Sequence, residues 1–191
     1  MGALVSFGPD GQWLESWGCD ARIAHELARH DVAWGRWPLR TEPDAPVDQL
    51  RSAYRDDLLS LHPVAAGWQV ECLDLVNTAA AGLAPDQFGR RDAVSAPAEL
   101  LYFLEGAGLL YLQLGDRYLG LLCDAGEWVR WPAGLPQRLD VGEQPQVRAL
   151  HGLAAPTPMA AVSETVAAVS LPRFEDFVEQ VLSWDGDEEL A

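Results

Sequence analysis

Between Glu99 and Gln137 the chain alternates short apolar runs with glycine-rich reversals, a pattern that fits antiparallel β-structure and little else. Leu100–Leu104 is closed by Glu105-Gly106-Ala107-Gly108, where glycine permits the positive φ of a tight reversal, so a hairpin into the next run is expected. Leu109–Leu114 and Tyr118–Cys123 are two further β-rich runs joined by Gly115-Asp116, a second hairpin. Trp128–Trp131 then stops at Pro132-Ala133-Gly134, because proline removes a ladder donor and the chain must turn.

The flanks add helices to this β core. Residues 3–7 read as a strand ended by the turn cluster Gly8-Pro9-Asp10-Gly11. Asp20 sits where the N-cap of a helix over Ala21–His30 belongs. His25 and His30 lie five apart on that helix, whereas ligand pairs want three or four, so both read as surface histidines. Val32–Trp37 suits a strand half facing the core, and Thr41–Pro46 a surface linker. Val47, Leu50, Tyr54, Leu58 and Leu61 repeat at helical spacing with charges opposite, which predicts one amphipathic helix on a barrel wall, stopped by His62-Pro63.

Further along, Trp68–Val76 alternates Trp68, Val70 and Cys72 against Gln69 and Glu71, a long strand leading into the barrel, and Thr78–Ala98 reads as loop. Val147, Ala149, His151 and Leu153 hold alternate positions of a last strand. Ala154–Ser170 is a connection. Pro172–Trp184 is a helix with proline in its first turn and Phe174, Phe177, Val178, Val181 and Leu182 on one face, packed on the barrel or on a partner subunit.

At 191 residues with 49% hydrophobic composition the chain can bury one proper core, so a single domain is expected. Its parts are an N-terminal strand and helices (1–66), a barrel core (67–153), a connection and helix (154–184) and an acidic tail (185–191). A formal charge of −16 with no basic cluster repels phosphate backbones and anionic lipid, which argues against nucleic-acid or membrane partners. Cys19, Cys72 and Cys123 are odd in number and in no C-x-x-C spacing, and the N-terminus lacks the look of a signal peptide, so a reducing cytoplasm is the expected setting. No phosphate-binding glycine loop or nucleophile elbow occurs.

Glu99 followed six residues later by Gly106 resembles the back half of the first cupin motif, G-x5-H-x-H-x3-E-x6-G. Gly126, Pro132, Gly134 and Gln137 resemble the second, G-x5-P-x-G-x2-H, in all but the last position. The wording from Glu99 to Gly108, at Asp116-Arg117-Tyr118, at Leu121–Asp124 and from Pro132 to Gly142 is similar to one cupin family, the acireductone dioxygenases. The resemblance implies an all-β fold with flanking helices, a cupin double-stranded β-helix (jelly-roll) barrel.

The same resemblance implies a metal site, iron or nickel, whose four ligand positions fall here on Ala93, Ser95, Glu99 and Gln137. An alanine methyl cannot coordinate, and a serine hydroxyl or glutamine amide is a poor ligand for these metals. The family's substrate-facing arginine matches Leu101, its aromatic after the last ligand matches Leu139, and His151 matches a position that is arginine in the family. The expectation is therefore a barrel with no metal and no cofactor.

That barrel would bind a small, fairly apolar ligand against Ala93, Ser95, Leu101, Gln137 and Leu139. Glu99 is the candidate acid or base, since burial of a lone carboxylate favours its neutral form. His151, if inward, could pair with it for proton transfer, or simply be a satisfied core histidine. Isomerase- or lyase-type chemistry is then expected over oxygenase chemistry. Two alternatives stand beside it: a non-catalytic pseudoenzyme acting through protein contacts, and an oxygenase with substitute ligands such as Glu99 and His151. A homodimer is left open.

Overall fold

The structure is a computed structural model that describes residues 2–61, 68–75, 90–94, 97–154 and 169–183. The strands are β1 (Ala3–Phe7), β2 (Trp13–Trp17), β3 (Ala33–Arg36), β4 (Trp68–Asp74), β5 (Arg90–Val94), β6 (Glu99–Glu105), β7 (Ala107–Leu114), β8 (Arg117–Asp124), β9 (Glu127–Trp131), β10 (Pro136–Asp140) and β11 (Arg148–Ala154). The helices are α1 (Asp20–Ala28), α2 (Val47–Ala53), α3 (Arg55–Ser60) and α4 (Phe174–Leu182). One sheet runs β2-β1-β8-β7-β10-β5 and the other β3-β9-β6-β11-β4. Every pairing is antiparallel, as the pattern of runs and reversals predicts.

Between the sheets lies the largest core cluster, with Leu101, Phe103, Leu110, Leu112, Leu119, Leu121, Val129, Trp131, Leu139 and Ala149 among its members. Two further apolar layers cover the outer faces. On one sheet Phe177 and Val181 of α4 pack with Val5, Phe7 and Tyr111. On the other, Leu50, Tyr54 and Leu58 pack with Leu100, Tyr102, Leu104 and Leu150. The strands β6, β7 and β8 are thus buried on both sides, which explains why their sequences read as continuous apolar runs and not as alternation.

The β7–β8 hairpin closes at Gly115-Asp116 as expected, with Leu114 opposite Arg117 and Gly115 at φ +67°. The reversal at Gly106 is not a hairpin. β6 pairs with β9 and β11 while β7 pairs with β8 and β10, so the chain crosses from one sheet to the other there. Gly106 has φ +75°, and a Cβ on it would stand 1.9 Å from the Gln146 carbonyl oxygen, so close backbone approach is what requires glycine.

Other expectations are corrected. Asp20 is the first residue of α1, not its cap; Cys19 holds the cap position without a side-chain bond, and Asp20 pairs instead with Arg36 at 3.1 Å. The single amphipathic helix is two, because Tyr54 leaves helical geometry (φ −108°, ψ 15°) with its hydroxyl accepting the Arg40 N–H at 2.8 Å. β2 was not anticipated. The stretch Thr78–Ala98 contains the strand β5, which pairs with β10.

On β4 the alternation holds: Trp68 and Val70 face the helices, while Leu73, and Leu75 just after the strand, join the inter-sheet core. Pro172 precedes α4 outside its first turn, and α4 packs on the barrel; Leu182 is exposed instead of buried. The His62-Pro63 stop, Ser95, most of the connection after Ala154 and the acidic tail lie outside the described residues. Among the described residues no helix is long and apolar enough to cross a membrane.

Candidate functional site

Glu99 opens β6, where it is buried and points between the sheets. Gln137 lies on β10 of the opposite sheet, equally buried, and its Nε2 donates to Glu99 Oε1 at 3.0 Å. His151, on β11 beside β6, brings its Nε2 to 2.8 Å from Glu99 Oε2. The strand period of two explains the arrangement: Glu99, Leu101 and Phe103 share the inward face of β6, as do Ala149 and His151 on β11, while Leu100 and Tyr102 turn to the helices. Glu99 is therefore not the lone carboxylate expected, for both of its oxygens face nitrogen. Tyr102, on the opposite face, turns its hydroxyl to the Trp37 and Pro38 carbonyls and has no part in the site.

A fourth residue joins them that sequence reasoning assigned to a polar strand face without further role. Glu71 of β4 stands directly opposite His151 in register, and its Oε1 lies 2.9 Å from His151 Nδ1. The three side chains descend from solvent to interior, at 65% exposure for Glu71, 11% for His151 and 7% for Glu99. The signal that could have found Glu71 is an acidic residue on the parity of Leu73 and Leu75, but the pairing of β4 with β11 across some eighty positions is not visible locally.

The imidazole responds to this setting. Burial pulls its pKa down, and hydrogen bonds and charge from Glu99 and Glu71 pull it up by more, so it ends above its ordinary 6.5. Protonated His151 can donate from both ring nitrogens, one to each carboxylate.

Of the other candidates, Leu101 and Leu139 are buried in the inter-sheet core, Leu101 opposite His151 in register. Ala93 is the register partner of Gln137, and Ser95 lies outside the described residues. Gln137 Oε1 is buried and, like the indole Nε1 of Trp131, the register partner of Glu99, has no hydrogen-bond partner among the described residues. Among the described residues no three His, Cys, Asp or Glu side chains are grouped to hold one metal ion. A separate open cleft of about 720 Å³ runs along α4, lined by Arg173, Asp176 and Glu179, and none of the candidate residues lines it.

Two antiparallel sheets closed over a common core, with a carboxylate and its partners on facing inward strands, define a cupin barrel protein. No family model matches the chain. Its sequence is 33% identical to acireductone dioxygenase 1 of Nocardia farcinica over 139 residues, covering 68% of this chain and 72% of that one. It is 30% identical to the acireductone dioxygenase of a Synechococcus species over 133 residues (69% and 74%) and 28% identical to that of Marinobacter nauticus over 159 residues (80% and 84%). The fold matches an acireductone dioxygenase from Bacillus anthracis, solved with a cadmium ion in its active centre, at a TM-score of 0.65 and 11% identity, over 81% of this chain and 94% of that one. The chain belongs to the acireductone dioxygenase family.

Proposed function

We propose that this member of the family binds a small, fairly apolar molecule in the barrel and moves protons on it with Glu99 and His151, without a metal. The observation that carries the reading is the engagement of both Glu99 oxygens by nitrogen, Gln137 Nε2 at 3.0 Å and His151 Nε2 at 2.8 Å.

The residues present do not fit the iron or nickel that the family resemblance implies. A metal at this position needs further lone-pair donors beside the carboxylate, but Gln137 turns an N–H, and not its amide oxygen, toward Glu99. His151 cannot chelate together with both carboxylates, because its two nitrogens face Glu71 and Glu99 from opposite edges of the ring. Substitute ligation by Glu99 and His151 would break the hydrogen bonds that hold both in place.

What these groups can do is acid–base chemistry. An ionised Glu99 accepts a proton from an acidic C–H or O–H of the ligand, and His151 exchanges protons with that carboxylate, taking one up at Nε2 when neutral and returning one when protonated. Leu101 and Leu139 supply the apolar wall, and Gln137 Oε1 is an acceptor open to a ligand hydroxyl or amine. A proton removed and returned elsewhere is an isomerisation or an elimination, so the reaction class is isomerase or lyase. The acidic charge of −16 and the free cysteines Cys19, Cys72 and Cys123 support a small-molecule partner over nucleic acid or membrane, and a reducing cytoplasm.

The test is metal analysis of the purified protein after exposure to iron, nickel and zinc. The reading expects far less than one ion per chain, and a stoichiometric metal lost in Glu99→Gln would overturn it.

A further inference from the structure

Resting on the acid–base reading of Glu99 and His151, we infer that Glu71 is the solvent-side end of a proton relay, Glu71–His151–Glu99, and the positioning residue for the His151 ring. The three side chains sit on three neighbouring strands, β4, β11 and β6, in the order in which a proton would travel. Each gap is a hydrogen-bond distance, 2.9 Å from Glu71 Oε1 to His151 Nδ1 and 2.8 Å from His151 Nε2 to Glu99 Oε2. The outer carboxylate is 65% exposed and the inner one 7%, so the imidazole is the bridge between bulk water and a carboxylate that water scarcely reaches.

The transfer balances. After Glu99 has taken a proton from the ligand, it passes that proton to Nε2 of neutral His151, while the proton on Nδ1 moves to the Glu71 carboxylate and on to water. One proton enters the ring and one leaves, and no other bond changes. Returning a proton to the ligand runs the same path backwards and restores the starting tautomer. The amide of Gln137, on the other carboxylate oxygen, cannot carry a proton, so the path from this buried base runs through His151.

Among the described residues, the charges that act on the ring are those of Glu99 and Glu71. Glu71 comes from β4 and Glu99 from β6, while Leu101, the register partner on β6, is uncharged. Arg148, on the alternate face of β11, lies 3.4 Å from Asp74 and 3.3 Å from Glu105. Both carboxylates draw the His151 pKa upward. A merely decorative surface ion pair at Glu71 would be screened by water and would leave the ring's titration almost unchanged.

The experiment is a pH titration of the His151 ring nitrogens by ¹H–¹⁵N NMR, with hydrogen exchange at its N–H groups, on the full chain and on Glu71→Gln, Glu71→Asp and Glu99→Gln. Glu71 is exposed on an edge strand, so its variants are expected to fold, and circular dichroism checks this. In Glu71→Gln the midpoint should fall by about one pH unit, a tenfold loss of proton affinity, and ring N–H exchange should slow; Glu71→Asp should recover part of both. An unchanged midpoint and exchange rate in Glu71→Gln, with Glu99→Gln still shifting the ring, would overturn the relay and leave the Glu99–His151 pair standing. A ring insensitive to Glu99→Gln would instead overturn the pair itself, and the relay with it.

Discussion

Gln137 Nε2 donates to Glu99 Oε1 over 3.0 Å and so ties β10 of one sheet to β6 of the other by side chains alone. Strands in different sheets share no backbone ladder, and the contact therefore depends on how the whole barrel closes. With His151 on the second oxygen, the carboxylate is held in one orientation from two sides.

Glu99→Gln keeps the shape of the side chain and removes its transferable proton. Turnover should fall at least about a hundredfold while ligand binding persists. Because His151 loses a buried charged partner, stability near pH 6 should drop by about 1–3 kcal/mol. Full activity together with a raised melting temperature would sink the catalytic role.

His151 binds its proton more tightly in the folded chain than in the unfolded one, since its folded pKa lies above 6.5. Its contribution to stability is thus complete below 6.5 and disappears as pH rises through the higher folded value. Urea unfolding of the full chain and of His151→Gln at a series of pH values reads this directly. The gap between them should be widest in acid and shrink toward alkaline pH; a gap that widens with pH contradicts the assignment.

Placing imidazoles at the family's ligand positions with Ala93→His, Ser95→His and Gln137→His together should create nickel or iron affinity near one ion per chain. Position 93 is the register partner of position 137, and the Gln137 amide already reaches Glu99. Metal analysis after dialysis decides it, and a triple variant that stays metal-free would mean that these strands do not bring the four positions within reach of one ion.

Gly106→Ala puts a methyl where the Gln146 carbonyl oxygen stands 1.9 Å away, on a residue with φ +75°. A loss of at least about 2 kcal/mol is expected in chemical denaturation. A near-neutral effect would show that the sheet-to-sheet crossover can relax.

Phe177 anchors α4, fully buried with its ring 6.3 Å from Phe7 and 6.0 Å from Trp13. Phe177→Ala should cost about 3–5 kcal/mol. The same variant should leave the His151 titration unmoved, because α4 covers the outer face of the sheet opposite to the site; a shifted titration would mean that the helix supports the barrel interior as well.

The antiparallel class, the Gly115-Asp116 hairpin and the alternate positions of β11 were legible in the sequence because each depends on residues a few positions apart. The motif skeleton around Glu99 and Gln137 also identified the family, since glycines and a proline at turns are set by backbone conformation and survive when side chains change. Sequence alone could not tell which way the chain goes at Gly106, because a hairpin and a sheet-to-sheet crossover both need glycine there. Nor could it tell which face of β4 is inward. With helices on one side and the barrel core on the other, both faces of the neighbouring strands are apolar, and periodicity gives parity without direction. Glu71 was missed for that reason. Its partner lies eighty positions away, and only the closure of β4 against β11 and of β6 against both sheets' shared core brings an exposed carboxylate, a buried imidazole and a buried carboxylate into one line.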